Sequence, residues 1–348
     1  GGAAAAVIKM CLGNGIGADL LNLSPQEFFA DNPGSVVFEA RSAETAQKLD
    51  GVIIGRTGGG AISLNGEQIT LSEAAQAGLS VLENIFPVYA SGTEASAVSQ
   101  PKREYPACAP GHKTARPRVV IPVFPGTNCE YDSARAFSQA GGLPEILVIR
   151  NRTPEDIAQS IAQLKKLIDS ANILFLPGGF SGGDEPDGSG KFIATVLRNQ
   201  KIMDAVHELL YNRDGLCLGI CNGFQALIKT GLLPNGKIAP LEENSPTLTF
   251  NTLGRHISTV AHIRVAGNNS PWLSLCRPGE IYAVPVSHGE GRFWADQSQL
   301  KALTDNGQIA TQYVDLDGND TGDIRFNPNG SAFAVEGITS PDGRVFGK

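Results

Sequence analysis

The chain has 348 residues, of which 41% are apolar, and a net charge of −7. That length suggests about two domains with real cores. The acidic balance excludes a general nucleic-acid binder, and no apolar run reaches the roughly 18 residues of a membrane span. Six scattered cysteines and the lack of a signal peptide suit a reducing, cytoplasmic compartment better than a disulfide framework.

Residues 1–90 read as part of an α/β unit. Ala3 to Leu12 is helix-like, and Ser35 to Ala40, with its run Val36-Val37-Phe38, reads as a strand. Ser42 is the expected N-cap of a helix running to Leu49. Val52 to Gly55 reads as a second strand, and Gly58-Gly59-Gly60 as a turn, since no Lys-Ser/Thr follows to make a phosphate loop. Ala61–Leu64 and Gln68–Leu71 flank the hairpin signal Asn65-Gly66, and Ser72 to Phe86 reads as a closing helix. Residues 91–117 are poor in large apolar side chains and rich in Ala, Ser, Pro and Lys, as a linker would be. Cys108 and His112 lie close there, but no second pair completes a metal site.

From residue 118 to 348 apolar strands alternate with helices. Strands are expected at Val119–Phe124, Glu145–Ile149, Ile173–Leu176 and Leu216–Ile220. Helices are expected at Glu130–Gln139, from Thr153 as N-cap to Ser170, and at Met203–Tyr211. The alternation predicts an α/β fold, a parallel sheet covered by helices on both faces. Ligands then bind at the C-terminal ends of the strands. Two segments fall at such ends: the loop Pro177 to Asp184, and Cys221.

Leu218-Gly219-Ile220-Cys221-Asn222-Gly223-Phe224-Gln225 has the form of a nucleophile elbow. A strand runs straight into a cysteine, and a helix follows whose N-terminus faces the sulfur. That lowers the thiol pKa and offers N–H groups to an oxyanion. The expected donors are the Asn222 N–H and the Gly178-Gly179 loop, and Gln225, one turn on, can present its amide to a polar substrate. Among the histidines, His207 lies in the helix before the nucleophile, and the pairs around His256 and His262 read as packing or solvated residues. His288-Gly289-Glu290 has the His-x-Glu spacing of a base oriented by a carboxylate. Asp315 to Asp320 has a calcium-loop look but lacks the bidentate Glu, so it reads as an acidic turn.

Three motifs occur in order: Pro177-Gly178-Gly179-Phe180-Ser181 with Asp184, the Cys221 octapeptide, and Ser287-His288-Gly289-Glu290-Gly291-Arg292-Phe293. Asn327 to Ser331 and Asp342 to Val345 follow. From about Pro117 onward the pattern resembles the class I, flavodoxin-like glutamine amidotransferase domain of phosphoribosylformylglycinamidine synthases. Residues 1–90 resemble the end of the preceding aminoimidazole-ribonucleotide-synthetase-like domain. The chain thus reads as a piece of a large single-polypeptide synthase, cut at both ends.

The resemblance implies glutamine hydrolysis through a thioester on Cys221. Ammonia then passes to synthetase domains in the same polypeptide, which use ATP and Mg, so no cofactor is expected in this part. It places the triad His-x-Glu beyond Lys348. Ser287, His288 and Glu290, with Phe180 and the Gly178-Gly179 loop, become pocket residues around the glutamine. Another cysteine hydrolase of the same fold, or a non-catalytic docking module, remains an alternative.

Overall fold

The structure is a computed structural model that describes residues 2–21, 23–49, 51–85, 114–180 and 190–348. Residues 91–113 of the expected linker, with Cys108 and His112, and the loop residues Ser181 and Asp184 lie outside the described residues. The chain divides into two compact units, Gly1–Val88 and Tyr89–Lys348.

The first unit contains α1 (Gly2–Asn14), β1 (Ala18–Leu20), α2 (Pro25–Phe29), α3 (Ala43–Lys48), β2 (Gly55–Thr57), β3 (Ala61–Leu64), β4 (Glu67–Thr70) and α4 (Leu71–Ser80). Its strands form one sheet in the order β2-β1-β3-β4. Asn65 and Gly66 both take positive φ, which is why a two-residue turn closes the β3–β4 hairpin. Ser42 caps α3, accepting from the Thr45 N–H. Residues 35–40 form no strand: Val36 is exposed and the segment pairs with nothing regular. β-propensity alone cannot make a strand without a partner edge. The second strand begins only at Gly55, and the closing helix ends at Ser80, within the expected span.

The second unit begins with β5 (Arg118–Val123), α5 (Glu130–Gln139), β6 (Leu143–Val148), α6 (Pro154–Ile168), β7 (Ile173–Leu176), α7 (Lys191–Leu197), α8 (Gln200–His207) and β8 (Leu216–Gly219). It continues with α9 (Asn222–Thr230), α10 (Leu232–Asn235), β9 (Thr247–Thr249), β10 (Ile257–Val265), β11 (Ile281–His288), β12 (Arg292–Trp294) and α11 (Gln297–Asp305). It closes with β13 (Ile309–Val314), β14 (Val335–Thr339) and β15 (Val345–Gly347). Thr153 caps α6 through the Asp156 N–H, with Pro154 in the first turn. Ser160, Leu164 and Ile168, spaced by four, bury one stripe of α6 against the core. α8 starts three residues earlier than expected, at Gln200, and gives way after His207 to one wide π-type turn over Glu208–Asn212.

Nine strands form one sheet in the order β11-β10-β13-β14-β15-β8-β7-β5-β6. From β15 to β6 the neighbours run parallel. Val119, Val120, Ile121, Leu174, Phe175 and Leu176 are buried there, because helices cover both faces. From β15 outward the pairing turns antiparallel through β14, β13, β10 and β11. The parallel half aligns the C-terminal ends of β5, β7 and β8, and the antiparallel half brings the end of β11 to them.

Among the described residues, no helix is long and apolar enough to cross a membrane.

Candidate active site

Cys221 sits where β8 becomes α9, with φ 50° and ψ −105°. A non-glycine residue in that region is strained, and strain held by its surroundings concentrates at functional sites. Glycines make the turn possible. A Cβ on Gly223 would stand 2.1 Å from the Leu176 carbonyl oxygen. One on Gly219 would stand 2.8 Å from the Gly223 carbonyl oxygen. The helix therefore starts in backbone contact with the neighbouring strand. The Cys221 N–H donates to the Lys348 carbonyl at 2.8 Å, and the Gly223 N–H to that of Ile220 at 2.8 Å. Cys217, four residues earlier, shows the contrasting case: full burial pushes its thiol up to about 12, as in an inert core cysteine.

The Gly178–Phe180 loop follows β7 and lies against the elbow. A Cβ on Gly178 would be 3.4 Å from the Cys221 Cβ. A second loop, Phe124 to Cys129 after β5, cradles it. The Asn128 N–H donates to the Gly178 carbonyl at 3.3 Å, and the Phe180 N–H to the Gly126 carbonyl at 2.8 Å. Gly179 has φ 128°, and a Cβ there would meet the Gly126 carbonyl oxygen at 2.5 Å. Sequence reasoning passed over this second loop. Its signal was the Pro125-Gly126-Thr127-Asn128 run at the end of an apolar strand. The Cys129 thiol, raised first by burial and then by Asp132 and Glu130, lies 3.8 Å from the same Gly178 position.

The third segment runs from Ser287 to Arg292. Buried Asn251 holds it: its Nδ2 donates to the carbonyls of His288 at 2.7 Å and Arg255 at 3.0 Å. Its Oδ1 accepts from the Gly291 N–H at 3.2 Å, and its own N–H donates to the Gly289 carbonyl at 2.8 Å. Asn329 packs on the far side of Gly291, and its Nδ2 donates to the Tyr313 hydroxyl at 2.9 Å. Burial disfavours the charged His288 ring and drives its pKa down, against an opposing pull from Glu336. Ser287, on the opposite face of β11, bonds the His256 ring at 2.9 Å. His256 in turn lies 6.4 Å, ring to ring, from Phe180, so it joins two loops of the site rather than merely packing or meeting solvent.

Gln225 requires a correction. Its Nε2 donates to the Glu290 carbonyl at 2.8 Å, and its Oε1 accepts from Asn222 Nδ2 at 2.9 Å. The amide ties the elbow helix to the Ser287–Arg292 segment instead of being presented to a substrate. A buried primary amide takes the partners within reach, and here both ends find protein. Glu290 is buried as well, and its charge acts on Lys229 in the last turn of α9.

The structure thus gathers Cys221, Asn222, Gln225, Gly178, Gly179, Phe180, His288 and Glu290 at adjoining strand ends. Ser287 joins through His256. Among the described residues no group of three or more His, Cys, Asp or Glu could hold a metal ion. The arrangement is that of a thiol nucleophile at a helix N-terminus beside a glycine loop able to bind an oxyanion.

The chain is similar to known proteins. The family described as CobB/CobQ-like glutamine amidotransferase domain matches residues 116–348. The phosphoribosylformylglycinamidine synthase subunit PurQ of Methanococcus maripaludis is 36% identical over 234 residues, covering 66% of this chain and 79% of that protein. The subunit of the same name from Sulfurimonas denitrificans is 35% identical over 232 residues, covering 66% and 87%. The solved structure of PurLQS from Thermotoga maritima is similar with a TM-score of 0.46 at 26% identity, covering 66% of this chain and 85% of that one. With the elbow, the glycine loop and the family match on the same residues, the chain belongs to the CobB/CobQ-like glutamine amidotransferases.

Proposed function

We propose that this amidotransferase is the glutaminase of a phosphoribosylformylglycinamidine synthase, with Cys221 as its nucleophile. The observation that carries the reading is the strained Cys221 backbone, φ 50°, at the start of a nine-residue buried helix. The thiolate attacks the side-chain amide carbon of glutamine. The carbonyl oxygen becomes an oxyanion, which the Asn222 N–H and the Gly178-Gly179 loop receive. The intermediate's nitrogen takes up the proton that the thiol gave up, and the intermediate collapses with loss of ammonia, leaving a γ-glutamyl thioester. Water attacks the thioester and releases glutamate, regenerating the thiol.

The Ser287–Arg292 segment, fixed by Asn251 and Gln225, forms the wall that orients the glutamine. His288, buried in that segment, belongs to the wall rather than serving as the base. The ammonia goes to synthetase domains that use ATP and Mg to convert formylglycinamide ribonucleotide to formylglycinamidine ribonucleotide, a purine precursor. The names carried by the relatives support this assignment, as does the match of two thirds of the chain to them.

The test is Cys221→Ala in the full-length protein. Glutamine-dependent synthesis is expected to vanish while synthesis from added ammonia survives. Equal loss of both activities overturns the reading.

A further inference from the structure

We propose that Glu336 is a positioning residue for Cys221: its buried carboxylate holds Lys348, and Lys348 fixes the backbone from which the nucleophile projects. The proposal rests on the glutaminase reading above.

The Glu336 side chain, on β14, is only 5% exposed. A carboxylate buried that far is costly unless it is paired and hydrogen-bonded. Two groups satisfy it. The Lys348 ammonium stands 3.4 Å from Oε1, and the Thr311 hydroxyl on β13 donates to Oε2 at 2.5 Å.

The main chain of Lys348 reaches the elbow on both sides. Its N–H donates to the Gly219 carbonyl at 3.1 Å, and its carbonyl accepts from the Cys221 N–H at 2.8 Å. One residue therefore carries an ion pair at its side chain and two hydrogen bonds at its backbone. Those two bonds bracket Ile220, where β8 turns into the elbow.

Close packing makes the pair possible. Gly337, next to Glu336, would with a Cβ meet Thr311 Oγ1 at 2.7 Å and both the Gly347 carbonyl oxygen and the Lys348 Cβ at 3.0 Å. The missing side chain lets β14 and the end of β15 approach. Glu336 also acts on Tyr313 and His288, and Tyr313 in turn responds to Cys221. The carboxylate thus belongs to the buried polar cluster that contains the nucleophile.

A strained φ of 50° persists only where neighbours over-determine it. Apolar side chains could pack β14 against β15 as stably, but they would not tie one particular residue to one particular spot. The ion pair does, and the tied residue is the one bonded to the Cys221 N–H.

The experiment uses the full-length protein with Glu336→Gln, Lys348→Met and the double variant. It reads glutaminase kcat and KM, the rate of Cys221 alkylation by iodoacetamide, and the melting temperature. Each single variant is expected to lower kcat about tenfold with KM changed less than about twofold, and to slow alkylation in parallel. The double variant leaves neither charge unpaired, so it is expected to melt near the wild type. It should nevertheless keep the loss of a single variant, because both changes cut the same link. A double variant with wild-type kcat and alkylation rate overturns the proposal, as do losses that multiply in the double variant. If the wild type itself hydrolyses no glutamine, the glutaminase reading fails. The alkylation rates still decide whether Glu336 positions Cys221.

Discussion

The elbow around Cys221 and the segment from Ser287 to Arg292 meet at Gln225, but different forces hold them. The elbow is fixed by backbone contact. Gly219 and Gly223 let a strand and a helix touch at distances no Cβ would allow. The facing segment is fixed by side-chain amides, chiefly Asn251, which bonds two of its backbone groups through one side chain and a third through its own N–H, while the same side chain also holds the Arg255 carbonyl. The first kind of restraint tolerates no added atom. The second tolerates atoms but not the loss of a partner.

Gly223→Ala probes the first restraint and carries the largest expected effect. A methyl group 2.1 Å from the Leu176 carbonyl oxygen must push the helix off the strand. The expected destabilisation is about 3 kcal/mol, measured by urea unfolding. A loss below about 1 kcal/mol would show that the elbow has slack and would remove the contrast. Asn251→Ala probes the second. It leaves the His288 and Arg255 carbonyls and the Gly291 N–H without their partner. The expected loss is about 2 kcal/mol, with a rise in the KM for glutamine, because the pocket wall loosens while the elbow stays intact. An unchanged KM would mean that the segment is held elsewhere.

Acid sharpens the comparison with the smallest effect. His288 in the facing segment and His207 on α8 both have pKa values lowered from 6.5, mainly by burial. In the unfolded chain they take up protons near 6.5, and in the folded protein only at lower pH. Across that window the unfolded state binds more protons, so stability is full above it and falls as pH drops through it. His288→Gln should flatten part of this slope between pH 7.5 and 5.5, measured by denaturant midpoints. An unaltered slope would place the acid sensitivity outside the pocket wall.

What could be read without coordinates follows the same division. The Thr153 cap with Pro154, the Asn65-Gly66 turn and the glycines around Cys221 are local, and their geometry is written in neighbouring residues. The Ser35–Ala40 strand failed because a short β-prone run promises only a propensity, and no edge came to pair with it. Gln225 was expected to reach toward a substrate. Its position one turn past the nucleophile was correct, but its partner, the Glu290 carbonyl, lies 65 residues away. Asn251 and Glu336 carried no signal at all, being single polar residues in otherwise ordinary stretches.

The sequence alone determined the alternating α/β plan of residues 118–348, the elbow at Cys221 and the family to which both belong. Hydrophobic period and glycine sterics act over a few residues, so they survive in a linear string. Only the tertiary structure decided that the sheet continues antiparallel past β15, that the Phe124–Cys129 loop cradles the glycine loop, and that Gln225 and Lys348 tie the elbow to distant strands. Those outcomes rest on hydrogen bonds between residues far apart in the chain. A buried polar atom takes whichever partner the fold brings to it, and no local pattern records which one that will be.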